Sequence, residues 1–389
     1  MATSSGSSSI LEVETKAPLD PAREGFRFLS AVFMLLVIGM FFHYSASSYR
    51  SFVAEADPTA MWVKQLKGYG LGCLLFTVGY LIQPRRWIEM YWIPLWVGVV
   101  LLLLATIASP LGRELNDAYR WLDLGIRFQP SELAKFTVPA ATIALTGVLR
   151  YRGVMGRQIG VRSATLIAAA LVGIPFFIIW KQPDFGSAIF LLILGLIPLL
   201  RWTQVCLFCG VISGPLLLLL LPKVISRMSE MEQRFEALFN PQGVPQVWAG
   251  LQAIGSGGWT GKGIGMGTSK TLYMPSEYSD FIFAVFAEET GFLGVTVLLT
   301  LYSLVLLFGW RLSRAVEDAD LACLVRVVTI AITGQAAINL LVNVALFPTK
   351  GIPLPFFSHG STGLAVFMGM TGVVIGISRT RGRQVVKLT

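Results

Sequence analysis

Charge is what this chain has least of. Only 14% of its 389 residues are Asp, Glu, Lys or Arg, against about a quarter in an ordinary soluble domain. With 54% of the residues hydrophobic, that shortage argues against a water-soluble enzyme. Histidine is scarcer still, since His43 and His359 are the only two, which leaves no imidazole-rich metal centre. The four cysteines, Cys73, Cys206, Cys209 and Cys323, all lie in apolar stretches. Cys206-x-x-Cys209 has the spacing of half a metal site, but no second half exists, so all four read as small apolar helix residues. A phosphate loop is missing too. In "GSGGWTGKGIGMG" (255–267), Ser256 stands where the first glycine of GxxxxGK[ST] belongs and Gly263 follows Lys262. No cleaved signal peptide is expected either. Residues 1–25 are Ser-rich and carry Glu12, Glu14, Asp20 and Glu24, which is not the basic-then-apolar order of such a segment. They read as a disordered cytoplasmic tail.

What the chain has instead is long apolar blocks. "FLSAVFMLLVIGMFF" (28–42), "YWIPLWVGVVLLLLATIA" (91–108) and "VCLFCGVISGPLLLLLL" (205–221) are the plainest. About 20 apolar residues span a bilayer core as a helix, so the fold class is an all-α polytopic membrane protein. Ten spans are expected, near 27–46, 65–82, 88–109, 131–149, 163–180, 185–200, 203–222, 280–309, 322–347 and 358–378. One membrane domain then covers 26–380, with a basic tail at 381–389. Lys and Arg in the short loops favour the side that carries both termini, which is therefore cytoplasmic. The long segment 223–279, between the seventh and eighth spans, lies outside, with 110–130, 181–186 and 348–357. The net charge of +9 is scattered over loops and span ends, which suits anionic lipid and gives no sign of nucleic acid.

The outer segments collect the unusual residues. "PSEYSDFIFAVFAEETG" (275–291) places Glu277, Asp280, Glu288 and Glu289 in or against an apolar run. If Asp280 opens a straight helix, Glu288 lies about 12 Å deeper at 1.5 Å per residue, so the two cannot share one reaction centre. Glu277 flanks the helix start. Asp280 is left as the acid at the membrane mouth, either a catalytic carboxylate or a helix-start acid favoured by the dipole. Glu288 and Glu289 read as structural acids that pair with a buried Arg, Lys or polar group. Around them, Lys262 sits in the glycine-rich stretch, which is either a flexible backbone open to an anionic headgroup or a mobile hinge without a ligand. In "YRWLDLGIRFQPSELAKF" (119–136), Glu132 and Lys135 are i,i+3 on one face of the fourth span, as a ligand pair or as an ion pair entering the membrane together. Arg120 and Arg127, seven apart, face the same way if that stretch is helical, and two guanidiniums suit a diphosphate. Asp184 stands at the turn "QPDFG", and "FPTKGIPLPFFSHGSTG" (347–363) places Lys350, Ser358 and His359 before the last span. Irregular backbone at membrane depth survives where it lines protein or water, so a polar cavity open outward is expected.

"RWLDLG…FQPSELAKF", "QPDFGSAI", "IGSGGWTGKGIGMG", "SDFIFAVFAEETGFLG" and "PTKGIPLPFFSHGSTG" follow one another as in the SEDS family (shape, elongation, division and sporulation), which the chain resembles over about 25–380. "PTKG" and "LYMPSEYSDFIFA" look more like the division-type FtsW members than the elongation-type RodA members. The resemblance implies a ten-helix bundle in the bacterial plasma membrane and a peptidoglycan glycosyltransferase that polymerises lipid II. It implies class B penicillin-binding proteins and other divisome or elongasome proteins as partners. The family's essential carboxylate falls on Asp280, and its charged pattern falls on Arg120, Arg127, Glu132 and Lys135. Two departures stand out: Tyr278 replaces the histidine of E-x-H-T-D, and His359 with Ser361 stands where Tyr and Gly are expected in S-Y-G-G-S.

The residues suit that chemistry. Asp280 can take the proton of an attacking sugar hydroxyl. The lipid diphosphate already leaves as an anion and asks for positive charge rather than a second carboxylic acid. Arg120, Arg127, Lys262 or a divalent cation can supply it. Magnesium or manganese suits carboxylates, although no ligand cluster in the sequence demands one. Two other readings stay open, a lipid II flippase and a non-catalytic scaffold for division proteins. A flippase needs polar groups on both sides and at mid-depth, whereas they concentrate outside.

Overall fold

The computed structural model describes residues 19–109, 112–115, 118–123, 127–151, 161–201, 239–269, 279–348 and 351–380. The expected seventh span, Cys206, Cys209, Glu277, Tyr278, Lys350 and the tail 381–389 lie outside them.

Helix α1 (Pro21–Glu55) starts where Asp20 accepts from the Ala22 N–H and Pro21 supplies a helix-ready φ. It begins before the expected end of the tail at residue 25, and Glu24 is already buried there. Helix α2 (Ala60–Leu81) follows a tight turn. The third apolar block divides into a short α3 (Pro84–Glu89) and α4 (Trp92–Ala108). Helix α5 (Pro130–Tyr151) carries Glu132 in its first turn. Helices α6 (Val161–Lys181) and α7 (Phe185–Leu196) meet at Asp184, which accepts from the Ser187 N–H and caps α7. Among the described residues there follow α8 (Pro245–Ser256), α9 (Ile282–Ala315), α10 (Ala319–Asn343) and α11 (Ser361–Ser378). Among the described residues five helices, α1, α6, α9, α10 and α11, are long and apolar enough to cross a membrane, and two shorter apolar helices run over Trp92–Ala108 and Phe185–Leu200.

Close approach through small residues explains the tightest helix pair. Gly372 of α11 lies so near α2 that an added Cβ would strike the Phe76 carbonyl oxygen. Gly372 and Gly376 share a face of α11, and Gly68 and Gly72 share one of α2, the small-xxx-small spacing that lets backbones meet in lipid. Helices α1, α9, α10 and α11 share one core cluster, which holds Phe28, Leu35, Phe286, Leu324 and Phe367.

Two conditions that the sequence left open are answered. A three-stranded antiparallel sheet of β1 (Gly112–Leu115), β2 (Ala118–Asp123) and β3 (Arg127–Phe128), in that order, lies between α4 and α5, so Arg120 and Arg127 are not on a helix. Leu122 of β2 is buried. Helix α9 is not straight either. At 34 residues it would run about 51 Å, well beyond a core of about 30 Å. It breaks at Gly291, whose φ of 64° and ψ of −165° are non-helical.

Polar contacts mark the two ends of the bundle. At the end that holds the start of α1, Glu24 meets Arg27 at 2.7 Å and Arg311 at 3.2 Å, and Arg85 meets Asp318 at 2.6 Å. The opposite end carries the sheet, the starts of α5, α7, α9 and α11, and the segment 351–360.

Candidate functional site

Asp280 stands on the turn just before α9, outside the spanning helix. Its main-chain carbonyl accepts from Nδ2 of Asn339 at 3.0 Å and from Nδ2 of Asn343 at 2.9 Å. The carbonyl of Ser279 accepts from the Ser358 hydroxyl at 2.5 Å. The Asp280 side chain reaches toward Gly351, where a Cβ would lie 3.5 Å from Oδ2 and 3.6 Å from Nη1 of Arg120. A carboxylate and a guanidinium thus converge over a residue with no side chain. Removal from water raises the Asp280 carboxyl to about 7; Arg120 opposes the rise and Asp184 adds to it.

Arg120 extends from β2 and donates to the Pro183 carbonyl at 3.2 Å, while its Nε is buried without a partner. Asp184 Oδ1 caps α7, and its Oδ2 accepts from Gln129 at 3.5 Å. Arg127 is exposed on β3, and its carbonyl accepts from the Thr362 hydroxyl at 3.0 Å. That bond ties the sheet to the start of α11. Arg120 and Arg127 therefore lie on different strands, and Arg120 is the one beside Asp280.

Glu132 and Lys135 sit deeper. They form a buried ion pair of 2.6 Å, and Lys135 also donates to Oε1 of Gln335 at 2.6 Å. Burying such a pair is costly unless its other valences are filled, yet Glu132 Oε2 is buried without a hydrogen bond. That oxygen lies 3.4 Å from where Gly363 would carry a Cβ.

Lys262, Glu288 and Glu289 are placed apart from this pocket. Lys262 Nζ meets Glu288 at 2.6 Å. The same carboxylate accepts from the N–H groups of Thr268 (3.0 Å) and Ser269 (3.1 Å) and from both their hydroxyls. Glu289 accepts from Ser45 of α1 at 2.8 Å. The glycine-rich stretch spends its backbone on the break in α9. The Lys262 and Gly263 N–H groups donate to the carbonyls of Glu288 and Glu289, and the Gly258 and Trp259 carbonyls accept from Phe292 and Leu293. The loop is docked, neither a free hinge nor an open cradle, because the broken helix offers the partners its own turns cannot supply.

Three features escaped the sequence reading. Gln335, Asn339 and Asn343 form a buried stripe on α10, four residues apart each time. The spacing was visible, but uncharged amides barely disturb an apolar run. His43 on α1 pairs with His359 through Nε2 and Nδ1 at 3.0 Å, a contact between distant segments that sequence alone does not show. His359 is held down to about 4, first by burial, then by Arg127 and Lys64. Gln65 of α2 accepts from the Gly360 N–H at 3.3 Å, which fixes the turn that bears His359.

These elements define a helical membrane protein in which, at one end of the bundle, the Asp280 carboxylate and the Arg120 guanidinium approach Gly351. Residues 26–383 match the family model FTSW_RODA_SPOVE, described as cell cycle protein, and the chain belongs to that family. A probable peptidoglycan glycosyltransferase FtsW of Thiomicrospira cyclica is 35% identical over 360 residues, which is 89% of each chain. The peptidoglycan glycosyltransferase MrdB of Escherichia coli is 32% identical over 364 residues, 90% of this chain and 93% of that one. Among solved structures, the fold matches the rod shape determining protein RodA of Thermus thermophilus with a TM-score of 0.63 at 25% identity, over 91% of this chain and 96% of that one. It also matches a chain of a peptidoglycan synthase complex, solved in a study of how polymerization and crosslinking are coordinated. There the TM-score is 0.71 at 24% identity, over 92% of this chain and 98% of that one.

Proposed function

We propose that the protein is a peptidoglycan glycosyltransferase that polymerises lipid II during septal wall synthesis, with Asp280 as its general base. The observation that carries this reading is the convergence of Asp280 and Arg120 over Gly351. The hydroxyl of one bound sugar attacks the anomeric carbon of the other. Its proton passes to the Asp280 carboxylate, the new glycosidic bond forms, and the bond to the lipid diphosphate breaks with its electrons on the departing phosphate. A carboxyl raised to about 7 is basic enough to accept that proton and still ionised in part at neutral pH. Arg120 supplies positive charge to the leaving diphosphate, and exposed Arg127 extends that charge along the sheet. Glu132 and Lys135 shape the inner wall, while Ser358 holds the turn before Asp280.

The finer architecture belongs to the same proposal: ten spans in the plasma membrane, both termini cytoplasmic, and the loop 223–279 outside. The partner that fits is a class B penicillin-binding protein, whose transpeptidase crosslinks the strand as it leaves. A divalent cation stays within the proposal as one source of the positive charge that the leaving diphosphate asks for, magnesium or manganese being ions that suit carboxylates. Among the described residues no group of three or more His, Cys, Asp or Glu is placed to hold one, and polymerisation with and without a chelator tests the requirement.

The test is a lipid II polymerisation assay on the purified full-length chain, with and without its transpeptidase. Asp280→Asn and Asp280→Ala should abolish strand synthesis while leaving expression and membrane insertion intact. Polymer made by either variant would remove Asp280 from the reaction.

A further inference from the structure

We infer that Asn339 and Asn343 are positioning residues for the reaction, holding the catalytic carboxylate in place through its own main chain. The inference rests on the assignment of Asp280 above. Gln335, Asn339 and Asn343 are 0%, 1% and 0% exposed and follow one another at four-residue steps, so they share one face of α10. Their side-chain amides bond to main-chain carbonyls of the segments that build the pocket. Gln335 donates to Pro353 at 2.9 Å, Asn339 donates to Ile352 at 2.9 Å and to Asp280 at 3.0 Å, and Asn343 donates to Asp280 at 2.9 Å. At its inner end the ladder receives the Lys135 ammonium on Gln335. One helix face therefore fixes the level of Asp280, the course of 352–353 beside Gly351, and the Glu132–Lys135 pair.

Stability alone does not account for these amides. Asn343 Oδ1 is buried without a hydrogen bond, and an unsatisfied buried acceptor destabilises the fold. Leucine, of similar size, would remove that cost. What leucine cannot do is donate to the Asp280 carbonyl, which has no helical partner at this position before α9. If the carbonyl is released, the carboxylate can turn away from Gly351 and toward water. The charged groups that face it are Arg120 on β2 and Asp184 before α7, and neither moves with α10.

The experiment compares the full-length wild type with Asn339→Leu, Asn343→Leu and the double variant in lipid II polymerisation across pH. Each lost hydrogen bond is worth about a factor of five, the equivalent of roughly 1 kcal/mol. Each single variant should therefore lower kcat about fivefold and the double variant about 25-fold or more, with KM for lipid II unchanged within about twofold. The pH midpoint of the rate should move down from that of the wild type, because the carboxylate becomes wetter. Melting temperature should hold or rise in Asn343→Leu. Asn343→Ser, which keeps a donor on a shorter side chain, should fall between wild type and Asn343→Leu in kcat. Wild-type kcat in a folded double variant would overturn the inference, and so would a loss of kcat that tracks melting temperature with an unmoved midpoint. Failure of the base assignment reads differently, as polymer synthesis by Asp280→Asn.

Discussion

At the scale of single residues, the enclosure of Asp280 sets the behaviour with pH. Under the proposed mechanism Asp280 must be ionised to accept a proton, and burial pushes its carboxyl up to about 7. The polymerisation rate should therefore rise through about pH 7 and fall about tenfold per pH unit well below it, read from initial rates. Arg120 holds that carboxyl down, so its removal lets the value climb. Arg120→Met should move the midpoint up and weaken lipid II binding, the opposite displacement from that expected on losing Asn339 or Asn343. Asp280 could be found in the sequence because a formal charge at the head of "FIFAVF" contradicts its surroundings. The amides of α10 carry no charge, and their partners are carbonyls of segments remote in the chain, so nothing local marked them. Arg120 was legible as a cation, but its separation from Arg127 follows from a strand pairing.

At the scale of elements, the break in α9 and the loop docked on it form one unit. An added Cβ on Gly291 would strike the Gly261 N–H group, and the positive φ is itself costly for any other residue. Gly291→Ala should destabilise the protein by about 1–3 kcal/mol, seen as a lower melting temperature in detergent. Glu288→Gln keeps the shape of the side chain but loses the charge that gathers Lys262, Thr268 and Ser269. Trypsin should then cut at Lys262 much faster than in the wild type, while an uncut loop would show that the backbone bonds suffice. The helices could be read from blocks of about 20 apolar residues. The break could not, since "TGFLGV" continues the apolar run without a proline. The sheet was hidden for a different reason. Its strands are two to six residues long, and their cross-strand partners lie outside any single periodic window.

At the scale of the whole molecule, the pocket depends on helices that contribute nothing to its chemistry. Helix α11 carries Thr362 and follows the turn with Ser358 and His359, and its position is fixed by glycine-mediated contact with α2. Gly372→Leu should push the two apart and scatter Thr362 from the sheet it holds. The expected result is a loss of monodisperse protein on size exclusion, with any residual activity reduced in proportion. Family resemblance was legible in five motifs in order, and so was their gathering on one side of the membrane, whereas the approach of Asp280 and Arg120 to Gly351 required the folded chain. The ion pairs at the other end, Glu24 with Arg311 and Arg85 with Asp318, join α1 to α9 and α3 to the turn before α10. They brace the bundle far from the pocket.

"GSGGWTGKGIGMG" has the look of a natural linker, the first place an engineer would choose for an epitope or a fluorescent fusion. Four of its main-chain groups are already committed to α9, and at Gly257 and Gly261 a side chain would collide with the backbone of that helix. An insertion at 258–263 would cost the protein its shape rather than report on it, so labels belong elsewhere.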